Sequence, residues 1–271
     1  WLGFVLFNQL TGADPTPGST GSSCLNFYNT TWVCPNKIID DSQVSISTAT
    51  TCTPSPHWHL QYISQRCPNS VVYAYNSSWQ QPTTVYVLDT WVDIEHSEFG
   101  GRAKRGPAFN WGEHGHGTHV AGLIGGRSFG VNRRAQLISV QVLDGRGKGM
   151  WSTILKGLQW ISTQRPPTII NMSISGERSE TVNSILQLMV KRGWKIVGAA
   201  GNDGESVCNT TTPGSSSPSA VIVGAMDKEY ERAEFSNYGW CVDLIGPGVA
   251  FISEYPNQRE AIMSGTSMAT P

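Results

Sequence analysis

Residues 168–200 read TIINMSISGERSETVNSILQLMVKRGWKIVGAA, and this stretch decides the fold class. Its beginning, Thr168–Ser173, is a largely apolar run typical of a buried strand. Apolar side chains then recur at helical spacing between 182 and 192, and a second strand-like run follows at Lys195–Ala200. A strand, a helix and a strand in succession predict a right-handed crossover between parallel strands.

The same alternation extends along the chain in both directions. The predicted strands are Thr84–Leu88, Ala135–Leu143 and Ala220–Ala225, and the predicted helices are His116–Ile124 and Trp151–Ile161. This pattern predicts an α/β fold with a mostly parallel central sheet flanked by helices on both faces. Ligands of such sheets bind beyond the carboxyl ends of the strands, where Asp89, Ser173 and Asn202 are expected to lie.

Composition narrows the function classes. A chain of 271 residues can hold one large α/β domain or two smaller ones. Charged residues make up 14%, against a typical value of ~25%, which suits a loop-rich extracellular enzyme. The net charge is −1 and no basic stripe is present, so nucleic acid is not an expected partner. No run approaches the ~18 apolar residues of a membrane span, so no membrane association is expected.

Cysteines and sequons favour a secreted protein. The six cysteines are even in number and contain no C-x-x-C pair, which favours disulfides over a zinc site. Sequons at Asn29, Asn76 and Asn209 agree with a secretory route. A fourth sequon, at Asn171, falls in a strand-like apolar run and is not expected to carry a glycan.

The first part of the chain differs in composition from the rest. Residues 1–13 are interpreted as a signal-peptide remnant with an apolar core at Trp1–Phe7, although a buried strand is the alternative. Residues 14–56 are rich in Ser, Thr, Pro and Cys, and we interpret them as a leader or the remnant of a pro-segment. Residues 57–271 are then the main folded domain.

Three distant segments carry the chemistry. Asp89 ends a strand, His116 opens His116-Gly117-Thr118-His119-Val120-Ala121-Gly122, and Ser267 lies in Gly265-Thr266-Ser267-Met268-Ala269-Thr270-Pro271. A serine nucleophile needs a base beside its hydroxyl and a carboxylate that fixes the tautomer of the base. The chain order Asp, His, Ser is that of subtilisin.

At these residues the chain resembles subtilisin-like serine proteases (subtilases), and more narrowly the proteinase K branch. The resemblance runs from about His57 to Pro271. Further motifs that carry it are Pro56–Arg66, Leu88-Asp89-Thr90, Ser97–Arg102, Gly115–His119 and Phe235–Gly239. It implies a subtilisin-like three-layer fold and a secreted serine endopeptidase. His116 would act as base and then acid, Asp89 would orient it, and Ser267 would form the acyl-enzyme.

The resemblance also implies an oxyanion site. Ala199–Asn202 resembles the oxyanion segment, in which the Asn202 amide and the Ser267 N–H would stabilise the negative charge on the scissile oxygen. Gly201-Asn202-Asp203-Gly204 is also an ordinary turn signal.

Two segments match those that hold an extended peptide in the family. They contain Gly147, Lys148, Gly149, Met150 and Trp151, and Ser173, Ile174, Ser175 and Gly176. Main-chain pairing with the substrate would make it an added strand between them. The first segment is alternatively a flexible glycine loop, and Trp151 is alternatively a core residue. The implied partners are a polypeptide substrate and a candidate inhibitory pro-segment, and we expect a monomer.

No cofactor is required for this chemistry. His114, His116 and His119 lack the H-E-x-x-H pattern of a zinc protease. The resemblance implies that His119 packs structurally, whereas His114 is expected to be an exposed loop residue. Asp227 matches a calcium-binding position of the proteinase K branch, where the carbonyls of Pro218 and Ala220 would assist it, and a surface aspartate is the alternative.

The resemblance further implies a Cys208–Cys241 disulfide. It leaves three possible pairings of the remaining cysteines, Cys24, Cys34, Cys52 and Cys67.

The chain also departs from the family pattern. Trp91 stands where relatives have glycine after the Asp motif, which predicts a rearranged backbone there, and Ser175 replaces another glycine in a way that would narrow the cleft. Only Met268–Pro271 remain of the helix that follows the nucleophile, so residues 1–271 alone are expected to be inactive or poorly folded. These departures motivate an alternative function, a catalytically impaired relative that binds polypeptides. A lipase-type hydrolase fits less well because its G-x-S-x-G serine would precede the acid and the base.

Overall fold

The structure is a computed structural model, and it describes residues 80–271 except Pro167 and Ser217, together with residues 25–27, 31–33, 50–55, 57–64 and 72–76. The predicted signal-peptide remnant, residues 1–13, lies outside the described residues, and so does most of the predicted leader, residues 14–56. The side chains of Cys24, Cys34, Cys52 and Cys67 are also outside them, so their pairing stays open.

The chain divides into two units, residues 1–47 and residues 48–271. In the first unit, strand β1 (Leu25–Phe27) pairs antiparallel with strand β2 (Thr31–Val33).

The second unit begins with an antiparallel pair. Strand β3 (Thr50–Pro54) pairs with strand β4 (Val72–Asn76), and helix α1 (Trp58–Ser64) lies between them in sequence. The end of the predicted leader is therefore a strand of this unit, and the domain boundary after residue 56 stays a prediction.

A seven-stranded sheet forms the centre of the second unit. Its strands are β5 (Thr84–Asp89), β6 (Ala103–Ala108), β7 (Gln136–Gln141), β8 (Ile169–Met172), β10 (Lys195–Ala199), β12 (Val221–Met226) and β13 (Leu244–Pro247). They stand in the order β13-β12-β10-β8-β5-β7-β6, and every neighbouring pair is parallel. The predicted α/β fold with a parallel central sheet is confirmed.

Helices cover both faces of this sheet. They are α2 (His116–Gly125), α3 (Trp151–Ser162), α4 (Glu180–Lys191) and the short α5 (Thr266–Ala269). One buried cluster joins α3 and α4 to the sheet, and a second joins α2 and α5 to its opposite face. In β5, Val85 and Val87 enter the second cluster whereas Tyr86 and Leu88 enter the first, as the alternation of a strand buried on both faces requires.

Helix α4 shows how local sequence sets an element. Ser179 caps it by accepting a hydrogen bond from Val182 N at 3.4 Å, and Glu180 and Lys191 complement the helix dipole at its two ends. Its apolar face is buried through Val182, Leu186 and Met189.

Two small antiparallel pairs complete the unit. Strand β9 (Gly176–Glu177) pairs with β11 (Thr211–Thr212), and β14 (Phe251–Tyr255) pairs with β15 (Arg259–Met263). The implied disulfide between Cys208 and Cys241 is present. In the part of the chain that the structure describes, no helix is both long enough and apolar enough to cross a membrane.

Candidate active site

Three strands of the central sheet deliver the candidate residues to one edge. Strands β5, β8 and β10 are neighbours and run parallel, so their carboxyl ends meet there. Asp89 is the last residue of β5, Ser173 follows β8, and Asn202 lies just beyond β10. This is the edge at which ligands of parallel sheets bind.

Asp89 and His116 form a close pair. The His116 Nδ1 atom lies 2.7 Å from Asp89 Oδ1, and the Asp89 side chain is fully buried. The main-chain N–H of Thr90 donates to the same oxygen at 2.6 Å. Burial lowers the pKa of His116, but the charge of Asp89 and its hydrogen bond outweigh this effect and raise that pKa above its usual value.

The Thr90 side chain connects the end of strand β5, at Asp89, to the beginning of helix α2. Its Oγ1 donates to the carbonyl of His114 at 3.0 Å and accepts from Gly117 N at 2.8 Å. A side chain at Gly117 would come within 2.7 Å of the Thr90 carbonyl, so glycine allows this close approach. Trp91, which was expected to disturb the turn, does not adopt a left-handed conformation, and Asp89 keeps its contact with His116.

Ser267 lies in the first turn of α5 and is paired with Ser173. Ser267 Oγ donates to the Ser173 carbonyl and Ser173 Oγ donates to the Ser267 carbonyl, each at 2.9 Å. Asn171 Nδ2 donates to Ser173 Oγ at 2.9 Å. Within the described residues, no hydrogen bond joins Ser267 Oγ to His116, although both side chains line the same cleft.

Asn202 contacts Thr266, the residue before Ser267. Its Oδ1 accepts hydrogen bonds from Thr266 N at 2.8 Å and Thr266 Oγ1 at 2.9 Å. These bonds fix which end of the amide faces the turn. The Nδ2 group donates to no described residue, which leaves it available to a ligand.

Asn237 supports the Asn202 loop from the other side. It is 1% exposed, its Nδ2 donates to the Ala200 carbonyl at 3.0 Å, and its Oδ1 accepts from Asp203 N at 2.9 Å and Glu205 N at 3.0 Å. Gly201 has φ +104° and its missing side chain leaves the space that Asn237 Nδ2 occupies. In the sequence, Phe235–Gly239 was recognisable only as a family motif, so the positioning role of Asn237 was missed.

A cleft of about 750 Å³ opens beside these residues. All nine predicted substrate-binding residues line it, together with His116 and Ser267. Asn202 is not among the lining residues. The residues that the sequence analysis did not assign to it are His114, Leu143, Arg146, Ile154 and Glu177.

The glycine-containing wall of the cleft is a hydrogen-bonded loop. Asp144 Oδ1 accepts from Arg146 N at 2.8 Å and Lys148 N at 2.9 Å, and Asp144 N donates to the Lys148 carbonyl at 2.7 Å. Hydrogen bonds from the Lys148 and Arg146 main chain lower the pKa of Asp144. Gly147 takes the left-handed conformation with φ +72° that this turn needs.

Trp151 links the two walls. Its Nε1 donates to the Glu177 carbonyl at 2.9 Å, and its ring lies beside Gly176. The side chain is half-buried and also packs against the main core, so it combines the two roles that the sequence left open.

The sequence of this chain is similar to those of known proteases. The profile of the Subtilase family matches residues 80–271, more than half of the chain. The chain belongs to the subtilase family. Subtilisin-like protease 2 of Pseudogymnoascus destructans is 41% identical over 223 residues, covering 79% of this chain and 55% of that protein. The cuticle-degrading protease of Metarhizium anisopliae is 40% identical over 241 residues, covering 85% of this chain and 61% of that protein.

A solved structure is similar as well. The crystal structure of a cold adapted subtilisin-like serine proteinase has a TM-score of 0.75 and 37% sequence identity, and the match covers 81% of this chain and 82% of that chain. The predicted family and its fold are confirmed. The chain spans only 55% and 61% of the length of the two curated relatives named above.

Two other histidines of this subtilase chain, His119 and His114, hydrogen-bond to the main chain. His119 is fully buried, its Nε2 lies 3.0 Å from the Phe251 carbonyl and 3.1 Å from the Ala261 carbonyl, and burial lowers its pKa to about 4. His114 is half-buried at the cleft, where its Nδ1 accepts from His116 N at 3.1 Å. The expectation of an exposed loop residue was therefore wrong, and the position of His114 two residues before His116 was the available signal.

Asp227, the predicted calcium ligand, directly follows strand β12. Its Oδ1 accepts from Glu229 N and Glu231 N, each at 3.0 Å, and so closes a turn. No group of three or more His, Cys, Asp or Glu residues suited to a metal occurs in the described ranges. Since calcium needs six to eight oxygens, main-chain carbonyls and water would have to supply most of them. Calcium at Asp227 stays a prediction.

Proposed function

We propose that this chain carries the active centre of a secreted serine endopeptidase that cleaves peptide bonds through an acyl-enzyme on Ser267. The observation that carries the proposal is the 2.7 Å pair of Asp89 and His116, whose imidazole shares a cleft with Ser267. A buried carboxylate on Nδ1 leaves the other ring nitrogen of His116 as the base.

The reaction would proceed in two stages. His116 Nε2 takes the proton of Ser267 Oγ as this oxygen attacks the scissile carbonyl carbon, and then gives the proton to the leaving amine. Water next attacks the ester with His116 as base, and His116 then returns this proton to Ser267 Oγ as the carboxylic acid product leaves. Ser267 Oγ must first leave the Ser173 carbonyl, and catalytic hydrogen bonds commonly form only in the substrate complex.

Asn202 would stabilise the tetrahedral intermediate. With Oδ1 held by Thr266, its Nδ2 is a fixed donor next to the nucleophile turn, and the Ser267 N–H is the second donor. Preorganised donors of this kind act where negative charge develops. A calcium ion at Asp227 would have only a structural role, and no metal takes part in these steps.

An extended polypeptide is the substrate that suits the cleft. The loop containing Gly147–Trp151 and the segment Ser173–Gly176 both line the cleft, and their main chain would pair with a strand-like ligand. The Cys208–Cys241 disulfide and the exposed Asn209 sequon support secretion, glycosylation and a folding route outside the cytosol. An inhibitory pro-segment and a monomeric state complete the proposal.

Peptide hydrolysis tests the proposal. The full-length protein should cleave unstructured polypeptides, and the S267A and H116A variants should each lose nearly all of this activity while remaining folded. Binding of polypeptide without cleavage by the unmodified protein would instead support the non-catalytic alternative.

A further inference from the structure

Another buried carboxyl group packs against helix α2. Glu254, on β14, is fully buried. Its carboxyl oxygens occupy the space next to Gly122 and Gly126, where an added Cβ would overlap them. Helix α2 carries His116 in its first turn, so Glu254 packs directly on the backbone of the helix that holds the proposed base.

Hydrogen counting favours a protonated carboxyl group. Ser253 Oγ lies 2.8 Å from the His119 carbonyl and 2.7 Å from Glu254 Oε2. The serine hydroxyl has one hydrogen, so it cannot donate fully both to the His119 carbonyl and to an ionised Glu254. Both contacts are complete hydrogen bonds only if the carboxyl group carries a proton and donates it to Ser253.

The surroundings agree with a neutral acid. Glu254 Oε1 is buried and receives no hydrogen bond from a donor among the described residues, an unfavourable arrangement for a charged oxygen. The nearby guanidinium of Arg102 donates to the carbonyls of Gly125 at 2.6 Å, Ala135 at 3.1 Å and Glu98 at 3.0 Å, and makes no ion pair with Glu254.

The other titratable groups that face Glu254 do not offset its charge. The Glu98 carboxylate lies within hydrogen-bonding reach of Glu254, and both this contact and its negative charge favour the protonated form of Glu254. Glu260 is the exposed cross-strand partner of Glu254, and His119 is buried and neutral. Burial is the largest cause that raises the pKa of Glu254, to about 8.

We propose that Glu254 is a positioning residue that acts in its protonated form, fastening helix α2, and through it His116, to β14 by way of Ser253 and the His119 carbonyl. The catalytic consequence rests on the proposed function. His119 is three residues from His116 on the same helix, and the Tyr255 ring packs over Gly115 at the start of that helix. Loss of the proton removes the donor to Ser253 and leaves a buried negative charge against α2.

Stability should depend on pH in a defined direction. The unfolded chain releases the Glu254 proton near the ordinary value of 4.5, whereas the native protein keeps it up to about pH 8. Stability therefore falls as pH rises between these values and levels off above them. The effect on the folding equilibrium should be on the order of a thousandfold in total.

The test compares E254Q with E260Q. Glutamine keeps the shape and supplies a permanent N–H donor to Ser253, whereas E260Q removes a neighbouring exposed charge from the paired strand. We expect the infrared C=O stretch of a protonated carboxylic acid in the native protein at pH 6, its loss as pH rises through about 8, and its absence in E254Q. The fall in stability over the same window should disappear in E254Q and persist in E260Q.

Kinetics test the positioning role separately. The alkaline loss of kcat should move to higher pH in E254Q and remain in place in E260Q, with KM little changed. The proposal is overturned if the carboxylic acid band is missing from the native protein, or if E254Q retains the alkaline loss of kcat. If the native protein shows the band but never cleaves peptides, the proposed function fails while the protonated Glu254 stands.

Discussion

Ser267 and Ser173 exchange two hydrogen bonds, since each hydroxyl donates to the carbonyl of the other residue at 2.9 Å. This exchange joins the nucleophile turn to the segment after β8, which forms one wall of the cleft. The position of Ser267, the proposed nucleophile, is therefore coupled to the surface on which a substrate would lie.

Removal of the Ser173 hydroxyl tests this coupling. S173A leaves the Ser267 carbonyl and the Asn171 amide without their partner, and Ser173 is 2% exposed, so water cannot easily replace it. The free energy of unfolding should fall by about 1–3 kcal/mol in chemical denaturation. The control is S175A, which removes an exposed hydroxyl without a hydrogen bond in the described structure and should change stability by less than about 0.5 kcal/mol. Equal effects of the two variants would contradict the coupling.

The roles of the Nδ2 donor and the Oδ1 acceptor of Asn202 can be tested separately. N202D keeps the oxygen that Thr266 contacts but removes the Nδ2 donor, whereas N202A removes both. If the amide stabilises the oxyanion, both variants should lower kcat by about 10²–10³-fold or more with little change in KM. Only N202A should also lower the melting temperature. Normal kcat in N202D would exclude the oxyanion role.

The Asp89–His116 pair predicts the acid limb of the pH profile. Activity requires neutral His116, so kcat/KM should fall as pH drops through the raised pKa of this residue. D89N removes the charge that raises this pKa while burial still lowers it, so the limb should move to lower pH. The kcat value should also fall, by up to ~10⁴-fold, because the imidazole loses its tautomer control. The control is D93N, which changes a buried aspartate that accepts a hydrogen bond from Asn257 N and should leave the acid limb in place. If the acid limb does not shift in D89N, it reports the titration of another group.

The sequence predicted the central sheet because its strands have strong local signals. Thr84–Leu88 contains no charged residue and Lys195–Ala200 only its first, and each run matches a strand of the sheet to within one residue. Helix α4 was equally well marked, with apolar residues at helical spacing and Ser179 as its cap. These elements place Asp89, Ser173 and Asn202 at one edge, as predicted.

The β14–β15 hairpin had no comparable signal. Its turn uses positive φ at Asn257 and Gln258, where glycine is the usual indicator. Strand β15 has two charged residues followed by three apolar ones on a largely exposed surface, without the alternation of a half-buried strand. Strand β13 has only four residues, two of them Gly246 and Pro247. Propensity alone does not predict strands that depend on their neighbours in this way.

The buried polar contacts were also beyond sequence reasoning. Glu254 would be assigned to the surface by residue type, and only its packing against Gly122 and Gly126 shows otherwise. The positioning role of Asn237 likewise depends on contacts with a loop more than thirty residues away in sequence. Three-dimensional packing, and not local pattern, determines both.

Covalent labelling of Ser267 tests the central claim most directly. A fluorophosphonate reacts with a serine whose hydroxyl is activated by a neighbouring base, and peptide mapping by mass spectrometry identifies the modified residue. We predict labelling of the folded full-length protein at Ser267 alone, its loss in S267A, and a rate that falls with decreasing pH through the raised pKa of His116. A folded protein that takes no label at Ser267, or takes it equally well in H116A, would contradict the account.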